Sequence, residues 1–383
     1  MGRGIATRCL HLEETEGIKE NYGAVSYPIY QTATYAHPAV EQSTGYDYSR
    51  LQNPTREHLE KIVAGLEGGE DALALSSGMA AIALLFEIFE PGDHVIAEAD
   101  LYGGSIRFFH HVSQKNGIDF SYADCSKDDI TRYIKKNTKA IYVETPTNPM
   151  MHVSDIEKIA EIAKEHGLLF IVDNTFLSPY FQNPLKLGAD VVIHSGTKFL
   201  GGHNDTLAGF VVTNREDVSE KLRFLIKTTG AGLAPFDSWL ILRGIKTLGI
   251  RMKQSEKNAA IVADWLKNQS IVTKVIYPGL PEHPGYEIMK KQARGFGSML
   301  TFYVDTKEHA LAILEKVKMI QFAESLGGVE TLITYPATQT HADVPEEVRI
   351  KNGITDCTLR MSIGIEDIED LIGELTDAFG GLR

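Results

Sequence analysis

Residues 168–173 read Leu-Leu-Phe-Ile-Val-Asp, and residues 190–198 read Asp-Val-Val-Ile-His-Ser-Gly-Thr-Lys. Both contain continuous apolar runs, which are typical of strands covered on both faces. In a strand with one exposed face, apolar and polar residues alternate instead. Each run ends in polar residues. Because ligands bind beyond the carboxyl ends of the strands in an open parallel sheet, these two stretches predict both the fold and the place of a site.

Further strands and helices alternate around these two stretches. The other predicted strands are 72–76, 94–97, 140–144 and 209–212, and the clearest helical patterns are 79–89, 155–166 and 216–227. This alternation predicts an α/β fold with a mostly parallel central sheet between layers of helices.

The C-terminal third has a different pattern. A helical stretch over 238–268 is expected to lead to a smaller unit, in which apolar residues alternate over 359–365, as in a sheet with one buried face. We therefore expect three parts: an irregular N-terminal arm over 1–50, a large α/β domain over 51–245 and a C-terminal α+β domain over 246–383.

Composition excludes several classes of protein. The 383 residues include 38 Lys and Arg against 51 Asp and Glu, a net charge of −13, so nothing supplies the basic surface that nucleic acid or anionic membranes require. The longest apolar run, 80–86, is too short to span a bilayer. The first residues are too polar for a secretory signal. Three isolated cysteines and histidines without metal spacing predict no metal site and a cytoplasmic location.

Polar residues follow the predicted strands of the large domain and mark one end of its sheet. They are Ser76–Gly78, Tyr102, Asn148, Asp173 and Ser195–Lys198. Ser77, Gly78 and Met79 begin a helix, where free N–H groups favour an anion, although an ordinary serine N-cap is the better explanation when these residues are taken alone. Hydroxyl groups of Ser195 and Thr197 in a second loop add to the prediction of a phosphate site.

Lys198 and Asp173 extend this prediction to a cofactor. Most lysines lie on solvated surfaces, but one at a strand end among apolar residues is a candidate for a desolvated, nucleophilic amine. An acid at a neighbouring strand end would accept a buried N–H. A lysine for the aldehyde, an acid for the ring nitrogen and a phosphate site are together what pyridoxal phosphate (PLP) requires.

From about residue 23 to the C-terminus, the chain resembles the Cys/Met-metabolism enzymes that depend on PLP. The motifs that carry the resemblance are 48–56, 77–81, 100–104, 144–149, 172–175, 194–198, 324–330 and 340–342. The resemblance implies the type I fold of PLP-dependent transferases, which is similar to aspartate aminotransferase.

The resemblance also implies roles for the cofactor site. Lys198 corresponds to the lysine that binds the cofactor aldehyde, Asp173 to the partner of the pyridine nitrogen and Tyr102 to the ring stacked on the cofactor, with its hydroxyl near the leaving group. The residues that correspond to the phosphate site are Gly78, Met79, Ser195 and Thr197. Tyr48 and Arg50 correspond to residues that reach the phosphate of a neighbouring subunit, which implies a homotetramer of two catalytic dimers.

For the substrate, Arg360 corresponds to the arginine that binds the α-carboxylate of an amino acid, with Asn148 and Ser325 nearby. The alternation over 359–365 sets Arg360 opposite the apolar residues and off the buried face, so that the strand pattern by itself predicts a solvated arginine. Glu324 and Asp47 resemble acids that meet the distal amino group of cysteine or cystathionine in some members; ordinary surface charge is the alternative.

The family includes enzymes of several activities. The segment 334–343 resembles the corresponding segment of bacterial cystathionine γ-synthases that also accept sulfide. The expected reaction is γ-replacement on an O-acylated homoserine in methionine biosynthesis and trans-sulfuration. A cystathionine γ- or β-lyase is the alternative, while Gly104, where methionine γ-lyases carry cysteine, disfavours that activity. A serine hydrolase built on Ser76 and a non-catalytic binding protein are remote alternatives. The preferred acyl group and the choice between cysteine and sulfide stay open.

Overall fold

A central β-sheet organises the larger part of the chain, of which this computed structural model describes residues 3–11, 22–340, 342 and 346–382. Its strands are Asp71–Leu75 (β1), His94–Glu98 (β2), Asp119–Ala123 (β3), Thr138–Glu144 (β4), Leu169–Asp173 (β5), Val191–Ser195 (β6) and Gly209–Thr213 (β7). Their order across the sheet is β1-β7-β6-β5-β4-β2-β3. Strands β2 to β6 run parallel, and β7 is antiparallel to both of its neighbours. The predicted α/β fold with a mostly parallel sheet is confirmed.

Strand β3 was missed in the sequence. Its residues, Asp-Phe-Ser-Tyr-Ala, mix polar and aromatic side chains, and most of them are partly exposed because β3 lies at the edge of the sheet. Continuous apolar runs indicate strands that are covered on both faces, so an edge strand such as β3 is not recognised by this pattern.

Helices cover both faces of the central sheet. The α-helices of the described residues are Ile5–Arg8 (α1), Pro54–Glu67 (α2), Gly78–Phe86 (α3), Gly103–Phe108 (α4), Ile156–Glu165 (α5), Ser178–Phe181 (α6), Glu216–Thr229 (α7), Pro235–Ile245 (α8), Leu248–Lys267 (α9), Tyr286–Gln292 (α10), Lys307–Lys316 (α11), Glu346–Lys351 (α12) and Ile368–Phe379 (α13). Apolar residues of α3 and α7 pack on one face, and those of α2, α5 and α8 pack on the other. Among the described helices, none is long and apolar enough to cross a bilayer.

Local sequence explains where these helices begin. The Asn53 side chain accepts the N–H groups of Thr55 and Arg56 at 3.0 and 3.4 Å, and Pro54 occupies the first turn of α2, where no N–H is needed. The same logic applies to α5, where the Asp155 carboxylate accepts the N–H of Lys158 at 3.2 Å. The N-terminal ends of both helices are therefore fixed by the local sequence.

The helical stretch predicted over 238–268 is divided into two helices. The structure has two helices, α8 and α9, and the chain turns between them at Lys246 and Thr247. The carbonyl of Gly244 accepts the N–H of Thr247 at 3.1 Å and Nη2 of the buried Arg251 at 2.9 Å. Because these donors occupy a carbonyl that would continue the helix, the ladder of i→i+4 bonds is interrupted there.

A second sheet follows in the C-terminal part. Its strands are Val272–Ile276 (β8), Met299–Val304 (β9), Gln321–Phe322 (β10), Leu332–Thr334 (β11) and Thr358–Ser362 (β12), in the order β10-β11-β12-β9-β8. One face packs under α9, α11 and α13. The other face meets the large domain, where the Thr301 hydroxyl donates to the carbonyl of Pro149 at 2.6 Å.

Strand β12 therefore has two buried faces, and the prediction of one buried face is wrong. Leu359 and Met361 point into the core under the helices, as the alternation predicts. Arg360 points to the opposite face but is only 1% exposed, because the large domain covers it. The alternation identified the side to which Arg360 points, and the neighbouring domain decided its burial.

Buried Glu67, at the end of α2, ties that helix to the central sheet. Its carboxylate accepts Nε2 of His194 at 2.6 Å and side-chain amides of Asn174 and Asn183 at 2.7 and 3.2 Å. Replacement with alanine removes the acceptor of buried His194 and one of the acceptors of Asn174 and of Asn183, so we expect Glu67→Ala to lower the free energy of unfolding by about 3–5 kcal/mol in a urea titration. Exposed Glu70 is the control, and Glu70→Ala should change it by less than about 0.5 kcal/mol. Equal losses for the two variants would contradict this assignment.

Candidate functional site

A cavity of about 200 Å³ lies at the carboxyl ends of the central strands, under the second sheet. Most of the predicted site residues line it: Ser77, Gly78, Met79, Tyr102, Asn148, Asp173, Ser195, Thr197, Lys198, Glu324, Ser325 and Arg360. The polar residues that follow the predicted strands thus lie together in one cavity.

Asp173, the last residue of β5, is a buried acid of this cavity with several hydrogen-bond donors. Its Oδ1 accepts the N–H of Thr175 at 3.0 Å and the Thr175 hydroxyl at 2.6 Å, and the Tyr142 hydroxyl donates to Oδ2 at 3.5 Å. Burial raises the pKa of Asp173, and the bonds from Thr175 oppose that shift by stabilising the carboxylate. Such a carboxylate is suited to accept an N–H from a ligand that carries positive charge.

The start of α3 forms another wall. Ser77 is its N-cap, and the serine hydroxyl accepts the N–H of Ala80 at 3.0 Å, so the ordinary capping role predicted as an alternative is present. Gly78 lies against Ser195, because a Cβ at Gly78 would fall 2.9 Å from the Ser195 Cβ. The first N–H groups of the helix, which have no intrahelical acceptor, therefore meet the Ser195 loop in a place suited to an anion.

Lys198 reaches the cavity from the turn after β6. Its Nζ donates to the Ser325 hydroxyl at 2.8 Å. Burial lowers the pKa of Lys198 to about 8, and the charge of nearby Arg360 adds to the shift. A substantial fraction of this amine is thus neutral near physiological pH, as a nucleophile or proton acceptor must be.

Arg360 enters the cavity from the second sheet. Its Nη1 donates to Oδ1 of Asn148 at 2.8 Å, and its Nη2 donates to the Ser325 carbonyl at 2.8 Å and the Thr334 hydroxyl at 3.0 Å. Nε is buried and has no partner among the described residues. Burial lowers the pKa of Arg360 to about 10, so the group stays charged at neutral pH. A fixed guanidinium with an open donor is suited to bind a carboxylate.

Ser325 connects the two basic residues and has a strained backbone. Its φ is +89°, in the region that favours glycine, while its hydroxyl meets Lys198 and its carbonyl meets Arg360. Such a conformation costs on the order of 1–3 kcal/mol and persists where surrounding contacts hold it. The strained residue thus contacts both the amine of Lys198 and the guanidinium of Arg360.

Tyr102 lies at the rim, and its side chain is 40% exposed. Its ring lies against Gly104, since a Cβ at that glycine would fall 2.4 Å from Tyr102 Cε1 and 3.1 Å from Met79 Sδ. The ring is thus held beside the start of α3, with its other side available to a ligand.

Four predicted residues are elsewhere or otherwise engaged in the single chain. Arg50 donates to the Lys227 carbonyl, and its guanidinium lies 5.5 Å from the centre of the Tyr48 ring, away from the cavity. Asp47 meets the hydroxyl of Ser43 at 2.7 Å. The Thr197 hydroxyl donates to the Ala208 carbonyl at 3.3 Å.

Another residue predicted from the sequence also lies outside this cavity. Ser76, the nucleophile of the hydrolase alternative, lines an adjoining cavity of about 720 Å³. That second cavity shares Thr197, Leu207, Glu324 and Ser325 with the first, so the two adjoin along this side. His341 and Asp343, which belong to the quoted motifs, lie outside the described residues.

Several residues of this cavity were not predicted from the sequence. Glu144 ends β4 and lines the cavity, Thr175 supports Asp173, and Thr340 lines the wall between α4 and the second sheet. Glu144 was detectable, because it ends an apolar run in the same way as Asp173. Thr175 was detectable from the Asp-x-Thr spacing of a turn in which a carboxylate accepts a nearby N–H.

Comparisons with known proteins agree with this geometry. The model of the family described as "Cys/Met metabolism PLP-dependent enzyme" matches residues 6–380. The cystathionine gamma-synthase/O-acetylhomoserine (thiol)-lyase of Bacillus subtilis is 50% identical over 357 residues, which cover 93% of this chain and 91% of that protein. The cystathionine gamma-lyase of the same organism is 49% identical over 360 residues, which cover 94% of this chain and 95% of that protein.

Solved structures give the same result for the fold. The crystal structure of cystathionine gamma-lyase from Lactobacillus plantarum complexed with L-serine superposes with a TM-score of 0.95 at 41% identity and covers 99% of each chain. Similarity over nearly the whole length includes both sheets and the cavity between them.

The low pKa of Lys198 leads to a test on the cofactor-free protein. Only the neutral amine reacts with acetic anhydride, so trace labelling of Lys198, followed by mass spectrometry, should rise with pH to half its maximum near pH 8. Exposed Lys186 serves as the internal reference. Arg360→Gln removes a nearby positive charge and should move the midpoint upward. A wild-type midpoint at the ordinary lysine value of about 10.4 would contradict the burial of this amine.

Proposed function

We propose that this chain, which belongs to the family of Cys/Met metabolism PLP-dependent enzymes, is a cystathionine γ-synthase. It would join cysteine to an O-acylated homoserine: the bond between Cγ and the ester oxygen breaks, a bond between Cγ and sulfur forms, and the acyl group leaves as an acid. The observation that carries the proposal is a cavity with Lys198 and Arg360 inside and Glu324 at its border with a second cavity.

The residues of the cavity fit PLP, the cofactor of the family. Asp173 would accept the ring N–H, Lys198 would bind the aldehyde carbon, and the helix start at Gly78 and Met79 with Ser195 would bind the phosphate. The close approach of Gly78 to Ser195, 2.9 Å for an added Cβ, supports a phosphate site shared by two loops. Thr197 would join it by turning its hydroxyl from Ala208.

The reaction requires proton transfers that Lys198 is suited to perform. When bound, PLP draws electrons from the substrate carbons next to the amino group and so makes their protons acidic. A group at Cγ leaves after protons are removed from Cα and Cβ. Because its pKa is about 8, the Lys198 amine can take up and return protons near neutral pH, and Ser325 orients it through the 2.8 Å bond.

Arg360 and Asn148 would bind the α-carboxylate of the amino-acid substrate. Arg360 is fixed by three acceptors, and its unpartnered Nε is the donor that a carboxylate would take. Since the guanidinium is already oriented, little side-chain entropy is lost on binding. Tyr102 would stack on the cofactor and present its hydroxyl toward the leaving group.

The position of Glu324 supports the proposal that the second substrate is an amino acid and not sulfide alone. Its exposed carboxylate lies where the first cavity adjoins the second, which at about 720 Å³ has room for cysteine. An ammonium group would be attracted to this acid. Asp47, on the exposed N-terminal segment, would add a second acid if it comes from a neighbouring subunit.

We further propose a homotetramer of two catalytic dimers, in which Tyr48 and Arg50 reach the phosphate of the neighbouring subunit. Exposed apolar side chains on the N-terminal segment, α7 and α8, among them Val25, Phe224 and Phe236, support an interface there. The three parts, 1–50, 51–245 and 246–383, would then act as arm, cofactor domain and substrate domain. Free Cys9, Cys125 and Cys357 fit a cytoplasmic location.

A C–S lyase that splits cystathionine is the second candidate. The Bacillus subtilis cystathionine gamma-lyase is 49% identical, almost as similar as the synthase, and cystathionine would occupy the same two cavities. The serine hydrolase is withdrawn, because the family is PLP-dependent and Ser76 lies outside the Lys198 cavity.

Steady-state assays distinguish the two candidates. We expect kcat/KM for cystathionine formation from an acylated homoserine and cysteine to exceed that for 2-oxo acid release from cystathionine by about tenfold or more. Acetyl, succinyl and phospho esters are compared, each with cysteine and with sulfide. Lys198→Ala should abolish both activities and so exclude contaminating enzymes. The reverse ranking of the two reactions would make the protein a lyase.

Mixing two inactive variants tests the shared site. In a hybrid dimer of Lys198→Ala and Arg50→Ala subunits, one of the two sites has both residues intact, so a randomly assembled equal mixture should recover about a quarter of wild-type activity. Mass-tagged Lys198→Ala mixed with wild type is the control for subunit exchange, because native mass spectrometry detects the hybrid dimers by their mass. Activity no greater than the mean of the two separate variants would show that Arg50 does not act across an interface.

A further inference from the structure

Glu144 is a second buried acid of the cavity, next to Asp173. It ends β4, and in the register of the parallel strands Glu144 stands beside Asp173 of β5. Partners in a parallel ladder point to the same face, so the two carboxyl groups enter the cavity side by side. Both residues are buried and both line the cavity.

The Glu144 carboxyl also fixes the chain that carries Tyr102. Its Oε2 accepts the backbone N–H of Tyr102 at 3.0 Å. Tyr102 is the N-cap residue of α4, and its side chain makes no capping bond to that helix. The bond from Glu144 therefore ties the segment between β2 and α4 to the end of β4, at the residue whose ring lies beside the cavity.

The two acids differ in the donors around them. Asp173 receives the N–H and hydroxyl of Thr175 and the Tyr142 hydroxyl, while the Tyr102 amide is the donor that the described residues offer to Glu144. Two adjacent buried carboxyl groups cannot both ionise without a large cost. Asp173, which has more donors, is therefore the better place for a negative charge, and Glu144 is the better place for a proton.

The surroundings of Glu144 favour the same distribution. Several charged or titratable groups act on it or respond to it, and they come from β2 and the segment after it, from β4, β5 and β12: Glu98, Asp100, Tyr142, Asp173 and Arg360. Three of these are acids and one is a guanidinium. Burial first, and then the charge of Asp173, raise the pKa of Glu144 well above its ordinary range.

We propose that Glu144 is a positioning residue which, as a neutral carboxylic acid, holds the Tyr102 backbone in place and leaves Asp173 as the single anionic partner for the cofactor ring. The substitution Glu144→Gln would preserve both properties, since a side-chain amide accepts an N–H and carries no charge. This inference uses the cofactor of the family and does not depend on whether the reaction is γ-replacement or C–S cleavage.

The test measures binding of PLP to the cofactor-free protein, without substrate. Glu144→Gln should keep the Kd for PLP within about threefold of wild type, whereas Glu144→Ala, which leaves the Tyr102 N–H unpaired, should weaken it by about tenfold. Glu98→Gln is the matched control, because Glu98 is a buried strand-end acid that accepts the N–H groups of Ala99, Asp100 and Cys125 outside this cavity. It should leave the Kd within about threefold.

A double-mutant cycle separates positioning from a general loss of structure. If Glu144 acts through Tyr102, Glu144→Ala should weaken PLP binding by less than about threefold in a Tyr102→Ala background. Equal losses for Glu144→Gln and Glu144→Ala would mean that a charged Glu144 is required and would overturn the proposal. Full additivity with Tyr102→Ala, or wild-type affinity of Glu144→Ala, would overturn it as well. Because the readout is cofactor affinity, failure of the proposed synthase reaction would not affect it.

Discussion

The site depends on keeping a primary amine and two carboxyl groups largely buried in one cavity. Each group would be more stable in its charged form if it were solvated, so burial shifts the pKa of Lys198 down and those of Asp173 and Glu144 up. The protein supplies selected donors and acceptors in place of water. Thr175 donates to Asp173, and Ser325 accepts from the amine, so the cavity holds an amine whose pKa is lowered beside two carboxyl groups whose pKa values are raised.

The fold provides this arrangement by bringing two sheets together. The central sheet ends its parallel strands at one edge and so gathers Glu144, Asp173 and the turn that carries Lys198. The second sheet presents its polar face to that edge and adds Arg360. Hydrophobic clusters on both faces of the central sheet and beneath the second sheet hold the two surfaces in register.

Much of this architecture follows from the sequence, for physical reasons that also explain the errors. Continuous apolar runs identify strands that are covered on both faces, and polar residues at their ends converge because parallel strands end at the same edge. The edge strand β3 lacks that signal. For Arg360, alternation gives the direction of a side chain but not what lies opposite it, since burial is a property of the tertiary structure. Tyr48 and Arg50 lie outside the cavity of one chain, and no local pattern indicates what a neighbouring chain would supply.

The bond between Arg360 Nη1 and Asn148 joins a side chain of the second sheet to a loop of the first. The group that would recognise an amino acid by its carboxylate is thus assembled from residues more than half the chain length apart, 212 positions in sequence. A fragment that stops before the second sheet would contain Lys198 yet lack Arg360, which helps to lower its pKa, and Ser325, which accepts from its amine. The reactivity of the amine and the selection of the substrate therefore depend on the same C-terminal residues and arise only in the complete fold.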